Sequence, residues 1–173
     1  DTRKIGSMKP CLAISGSAGT GKTTLAKALA EKYEVPYLVE GFRRRRENGL
    51  DPHSLTREQH RDLVLELYQE AMEEARSALQ EHGGFVADRG PVDYLAFWLY
   101  YGFAHHAEES ERLAKEITGD LSLFDHVILL PWGVLDIEKD GFRSVNPWIQ
   151  LHFQGLLEGL SAQRIGADKL LLM

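Results

Sequence analysis

Short apolar runs alternate along the chain with longer stretches in which apolar residues recur every three or four positions. Cys11-Leu12-Ala13-Ile14-Ser15, Pro36-Tyr37-Leu38-Val39, Phe85-Val86-Ala87, His126-Val127-Ile128-Leu129-Leu130 and Lys169-Leu170-Leu171-Leu172-Met173 have the length and composition of buried strands. A helix is predicted from Thr23 through Lys32. Thr56-Arg57-Glu58-Gln59 is a capping box, opening a long helix through Leu63, Leu67, Ala71, Ala75 and Leu79 that should stop at Gly83-Gly84. Pro91 suits the first turn of a helix over about Val92 to Tyr101. That helix is apolar nearly all round and should be buried on more than one face. A polar helix over 107–117 should end at Gly119, and Asn146-Pro147 opens another to about Leu160. The polar stretch from Arg43 to Ser54, with Gly49 and Pro52, reads as a loop.

This alternation predicts an α/β fold, a parallel sheet with helices on both faces. Ligands in such folds sit at the carboxyl ends of the strands. The chain stops after the fifth strand, leaving open whether a final helix has been lost.

Composition narrows the class. The 173 residues suit one domain, read as 8–173. Gly6-Ser7-Met8 looks like a cloning junction, so residues 1–7 are set aside as a remnant or disordered segment. The net charge of −6 speaks against a nucleic-acid-coating surface, though not against a local basic patch. No apolar run approaches the roughly 20 residues of a membrane span, and the N-terminus has no secretory apolar core. Cys11, the single cysteine, reads as strand packing; a cytoplasmic location is expected.

The chemistry starts where the first strand ends. Gly16-Ser17-Ala18-Gly19-Thr20-Gly21-Lys22-Thr23, followed by Thr24, fits the phosphate-binding P-loop, G-x-x-x-x-G-K-[ST], between a strand and a helix. The glycines permit positive φ and close approach of backbone to ligand. The loop amides and the helix dipole form an anion nest. Lys22 can reach the β- and γ-phosphates of ATP, and Thr23 can place its hydroxyl on Mg²⁺. The motif leaves the base, ATP or GTP, open.

Three other strand ends should meet this loop. Asp88 occupies the position of a Walker-B acid that holds Mg²⁺, or caps a helix. Arg89 can clamp phosphate oxygens or form a salt bridge to Asp88. Glu40 can receive the proton of a substrate hydroxyl, or be a solvated strand-end acid. Beyond Leu130, Lys139 and Arg143 read as lid cations, with Arg143 the better fit for transition-state charge. The Arg43–Arg46 run is either a solvated loop or a basic platform for an anionic substrate. The aromatic helix is chiefly core, with a ring or two lining a pocket. His105-His106 with Glu108-Glu109 fixes no metal geometry.

Together these residues resemble the small P-loop kinases of the nucleoside-kinase type, most of all the nicotinamide-riboside kinase domain of the bacterial NAD-salvage regulator and related ATPase/kinase domains. The resemblance covers about Leu12 to Leu160. It rests on Gly16–Thr23, Glu40-Gly41-Phe42-Arg43, Asp88-Arg89-Gly90-Pro91-Val92-Asp93-Tyr94, and the Val127–Leu130 strand leading to Asp140-Gly141-Phe142-Arg143-Ser144. It implies a P-loop NTPase fold with a five-stranded parallel sheet in the order 2-3-1-4-5. It also implies a hydroxyl-orienting acid at Glu40, a magnesium and phosphate pair at Asp88 and Arg89, and a lid arginine at Arg143. Gly90 replaces the usual serine, and the arginine run has no family counterpart. The expected activity is ATP- and Mg²⁺-dependent phosphoryl transfer to a small, nucleoside-like hydroxyl acceptor. The alternatives are an NTP-binding and hydrolysing regulatory module and a polynucleotide 5′-kinase. The oligomeric state is not legible.

Overall fold

The computed structural model describes residues 9–51, 54–135 and 146–173. Among these, five parallel strands form one sheet in the order β2-β3-β1-β4-β5. The strands are β1 (Cys11–Ser15), β2 (Tyr37–Leu38), β3 (Phe85–Asp88), β4 (His126–Leu129) and β5 (Leu170–Leu172). β1 is central and buried at every position. Its alternate side chains enter two separate apolar clusters. Leu12 and Ile14 pack with Ala26 and Ala30 of α1 (Lys22–Tyr33). Cys11 and Ala13 join the larger cluster built by the other helices. A strand buried on both faces reads as a continuous apolar run, as β1 does.

Local signals set most element ends. Thr56 and Gln59 form the expected capping box of α3 (Arg57–His82), and Gly83 closes it in the left-handed region at φ 76°. Asn146 accepts the Trp148 amide at the start of α6 (Pro147–Arg164). The aromatic helix is α4 (Pro91–Tyr100), buried from Pro91 through Trp98. Trp98 is fully enclosed and donates Nε1–H to Ser110 Oγ at 2.8 Å.

Two expectations are corrected. The arginine run is not loop: Gly41–Glu47 is a short helix, α2, capped by Glu40. The helix expected to end at Gly119 continues through it as α5 (Ala107–Asp120), because Leu113, Ala114 and Ile117 bury one face and outweigh a glycine cost of about 1 kcal/mol. Short 3₁₀ turns follow α4 and α5, at Phe103–His105 and Leu121–Leu123. Among the described residues, no helix is long and apolar enough to cross a membrane.

Register places the chemistry. Asp88 pairs across from Ile14, and Ser15 from Leu129. The ends of β1, β3 and β4 therefore fall level, and the P-loop, Asp88 and Leu130 leave the sheet on one rim.

Candidate active site

The P-loop turns from β1 into α1 with Gly16, Gly19 and Gly21 at φ 147°, 80° and 87°. Gly16 has no room for a side chain: a Cβ there would lie 2.7 Å from Thr20 Oγ1 and 3.3 Å from the Leu130 carbonyl. Thr20 Oγ1 donates to the Ser17 carbonyl at 3.0 Å and Lys22 Nζ donates to it at 2.6 Å, folding the loop on itself. Lys22 is buried. That burial, with the nearby Arg89 charge, lowers its pKa to about 7 against the opposing pull of Asp88, Asp93 and Glu40. A phosphate anion entering the loop would favour the charged form.

Asp88, also buried, accepts Thr23 Oγ1 at 2.5 Å and Tyr37 OH at 3.1 Å on Oδ2. Burial first, and the Asp88 charge next, raise the Tyr37 pKa, so its phenol stays a donor. Asp88 Oδ1 and Ser17 Oγ are buried without a hydrogen-bond partner among the described residues. A buried acceptor left unpaired is costly unless something else meets it. The carboxylate and the Thr23 hydroxyl form a hard oxygen donor set, which fits Mg²⁺.

Arg89 follows at φ 105°, a conformation that non-glycine residues hold only when their surroundings over-determine it. Here they do. Nη1 donates to the Gly16 carbonyl at 3.2 Å and to Asp93 Oδ1 at 2.8 Å, while Nε lies 3.6 Å from Glu40 Oε1. The guanidinium stacks over Phe97 of α4, with its carbon 4.7 Å from the ring centre, and more distantly over Phe153 of α6. Burial works against its charge, but Asp93, Glu40 and Asp88 more than offset it, so Arg89 stays ionised. Its carboxylate partners are Asp93 and Glu40, whereas the salt-bridge alternative in the sequence named Asp88.

Asp93 carried no role in the sequence reading. It is wholly buried and receives Ser15 Oγ at 2.5 Å and the Gly90 amide at 3.0 Å on one oxygen, and Arg89 on the other. Gly90 must be small: a Cβ would sit 2.9 Å from Ala13 Cβ. Gln154 of α6 was also missed. Its Oε1 accepts the Ser17 amide at 2.9 Å, and Nε2 donates to the Leu130 carbonyl at 3.1 Å and to Glu158 at 2.8 Å. The available sequence signal for Asp93 was its place three residues after the Gly90 cap; Gln154 offered none.

Glu40 caps α2 by accepting the Arg43 amide at 3.0 Å, and its side chain borders the cleft. The cleft encloses about 430 Å³. Ser17, Ala18, Lys22, Thr23, Asp88 and Arg89 line one part of it. Phe42, Phe97, Tyr100, Tyr101, Ile149 and Phe153 form an apolar wall, with Glu40, Arg43 and Arg46 beside it. Thr24 is exposed on α1 and is not among the lining residues. Lys139 and Arg143 lie outside the described residues. Among the described residues, no group of three or more metal-ligating His, Cys, Asp or Glu side chains occurs, the His105-His106 region included.

A glycine-rich anion loop, a following lysine and threonine, and an acid at the adjacent strand end define a P-loop fold of the nucleoside-kinase type. An AAA domain family model matches residues 11–165, and the chain belongs to that family. No curated protein matches the chain. Among solved structures, a NadR protein in complex with NR superposes at TM-score 0.66 and 20% identity, over 95% of this chain and 45% of that one. The deoxyadenosine kinase from M. mycoides, bound to dCMP and dCDP, gives 0.61 at 13% identity, over 94% and 88%. The thymidylate kinase from Candida albicans gives 0.62 at 17% identity, over 96% and 83%. The chain spans less than half the length of the NadR structures it matches.

Proposed function

We propose that this protein transfers the γ-phosphoryl group of ATP to a hydroxyl of a small, nucleoside-like metabolite. The observation that carries the reading is the meeting of Lys22, Thr23, Glu40, Asp88 and Arg89 on one cleft. Lys22 and the loop amides bind the triphosphate. Thr23 and Asp88 would hold Mg²⁺, which neutralises phosphate charge when bound. Glu40 orients the acceptor hydroxyl and receives its proton. The acceptor oxygen bonds to the γ-phosphorus as the bond to the β–γ bridging oxygen breaks, and that electron pair leaves with ADP. Arg89 and, from the segment after β4, Arg143 balance the charge that develops. The apolar wall excludes water, which would otherwise compete as acceptor.

Incubation with γ-labelled ATP, Mg²⁺ and a panel of nucleosides, nucleotides, sugars and short RNAs tests this. Label on a small hydroxylated acceptor is the expected result. Label released only as inorganic phosphate supports a regulatory hydrolase instead, and label on an oligonucleotide end supports a polynucleotide kinase.

A further inference from the structure

The four arginines of α2 divide by helix geometry. At about 100° per residue, Arg43 and Arg46 share one side of the helix, while Arg44 and Arg45 project elsewhere. Arg44 Nη1 lies 2.6 Å from Glu74 Oε1, and its Nη2 3.7 Å from Glu70 Oε2; Arg45 Nη2 lies 2.8 Å from Glu66 and 2.5 Å from Glu70. These three glutamates follow one another at four-residue steps along α3. That pair of arginines therefore fastens α2 to α3. Arg43 and Arg46 line the cleft.

The two cleft arginines occupy different depths. Arg43 Nη1 donates to Thr23 Oγ1 at 3.2 Å, next to the phosphate loop. Arg46 is one turn further along α2, half-buried toward the aromatic wall. Its charge reaches His60, whose pKa is lowered by burial first and by Arg46 second. Arg43 Nε lies 3.9 Å from Glu47 Oε1, and the Glu47 side chain is 64% exposed. Such an exposed contact is worth little. Facing the arginines, Phe97 and Tyr101 lie nearly parallel, 11° apart with centroids separated by 6.0 Å. The acceptor side of the cleft thus combines an aromatic wall, against which a flat ring can pack, with a pair of guanidiniums suited to an anion.

We propose that the acceptor carries a phosphomonoester as well as the hydroxyl that is phosphorylated: a nucleoside monophosphate held through its phosphate by Arg43 and Arg46, not a neutral nucleoside. This rests on the kinase reading above and names its substrate class. Guanidinium forks select phosphate over hydroxyl by charge and by paired hydrogen bonds.

The test is calorimetric titration of common ribonucleosides and their monophosphates into the full chain, with AMP-PNP and Mg²⁺ filling the donor site. Monophosphates are expected to bind about 10- to 100-fold more tightly than their nucleosides, with an affinity that falls as salt is added. Arg46→Gln should erase that preference. Arg46→Lys should restore part of it, and Arg44→Gln should keep it. Equal or tighter binding of nucleosides, or no binding of any monophosphate, overturns the proposal; so does preferred labelling of an oligonucleotide end in a parallel assay with γ-labelled ATP. Failure of AMP-PNP itself to bind would instead overturn the kinase reading.

Discussion

Arg89 Nη1 and Asp93 Oδ1 lie 2.8 Å apart at the start of α4, and this pair helps hold the cleft arginine in its positive-φ conformation. The other oxygen of Asp93 holds Ser15 at the end of β1. One carboxylate therefore ties the P-loop strand, the α4 cap and the cleft guanidinium together.

Asp93→Ala should be strongly destabilising, by about 3 kcal/mol, because it leaves Arg89 buried with less countercharge and Ser15 without its acceptor. Urea unfolding measures this. Asp93→Asn keeps the shape and should fold better, yet turn over more slowly because Arg89 is released. An Asp93→Ala protein as stable as wild type would contradict this role.

Gln154→Leu should leave the Ser17 amide and the Leu130 carbonyl without a partner, costing about 2 kcal/mol. Hydrogen exchange should speed selectively in the P-loop. Exchange rates unchanged at Ser17 would show that α6 does not brace the loop.

Lys22 gives the nucleotide-free protein a pH dependence. Its folded pKa, near 7, lies below the unfolded value of 10.5. Between those values the unfolded chain binds more protons than the fold, so stability rises with pH across that window. Urea midpoints should climb from pH 7 to 9 and flatten in Lys22→Met. Binding of a triphosphate at pH 8 should take up protons, read as a buffer-dependent heat. No uptake would mean that Lys22 does not charge on binding.

Local signals made much of the architecture legible. The P-loop, the Thr56 capping box, the Gly83 stop and the Asn146-Pro147 start each lie within a few residues of the structure they specify. The sheet order followed from family resemblance joined to the β-α alternation. The arginine helix was hidden because Gly41–Glu47 offers no apolar periodicity, and its cap is a glutamate whose carboxylate reaches the Arg43 amide. Asp93 and Gln154 were hidden for a different reason. Their partners Ser15 and Ser17 lie 78 and 137 residues away, so only the folded chain brings them together. The split among the four arginines likewise depends on carboxylates of another helix.

The most direct test is γ-phosphoryl transfer to the acceptor by wild type, Lys22→Ala and Asp88→Ala, with unfolding curves confirming that each variant is folded. Loss of a single preorganised charge at such a site costs about 100- to 1,000-fold in kcat, and each variant should fall by at least that factor. Transfer at the wild-type rate by either folded variant would contradict a phosphate cradle built on Lys22 and Asp88.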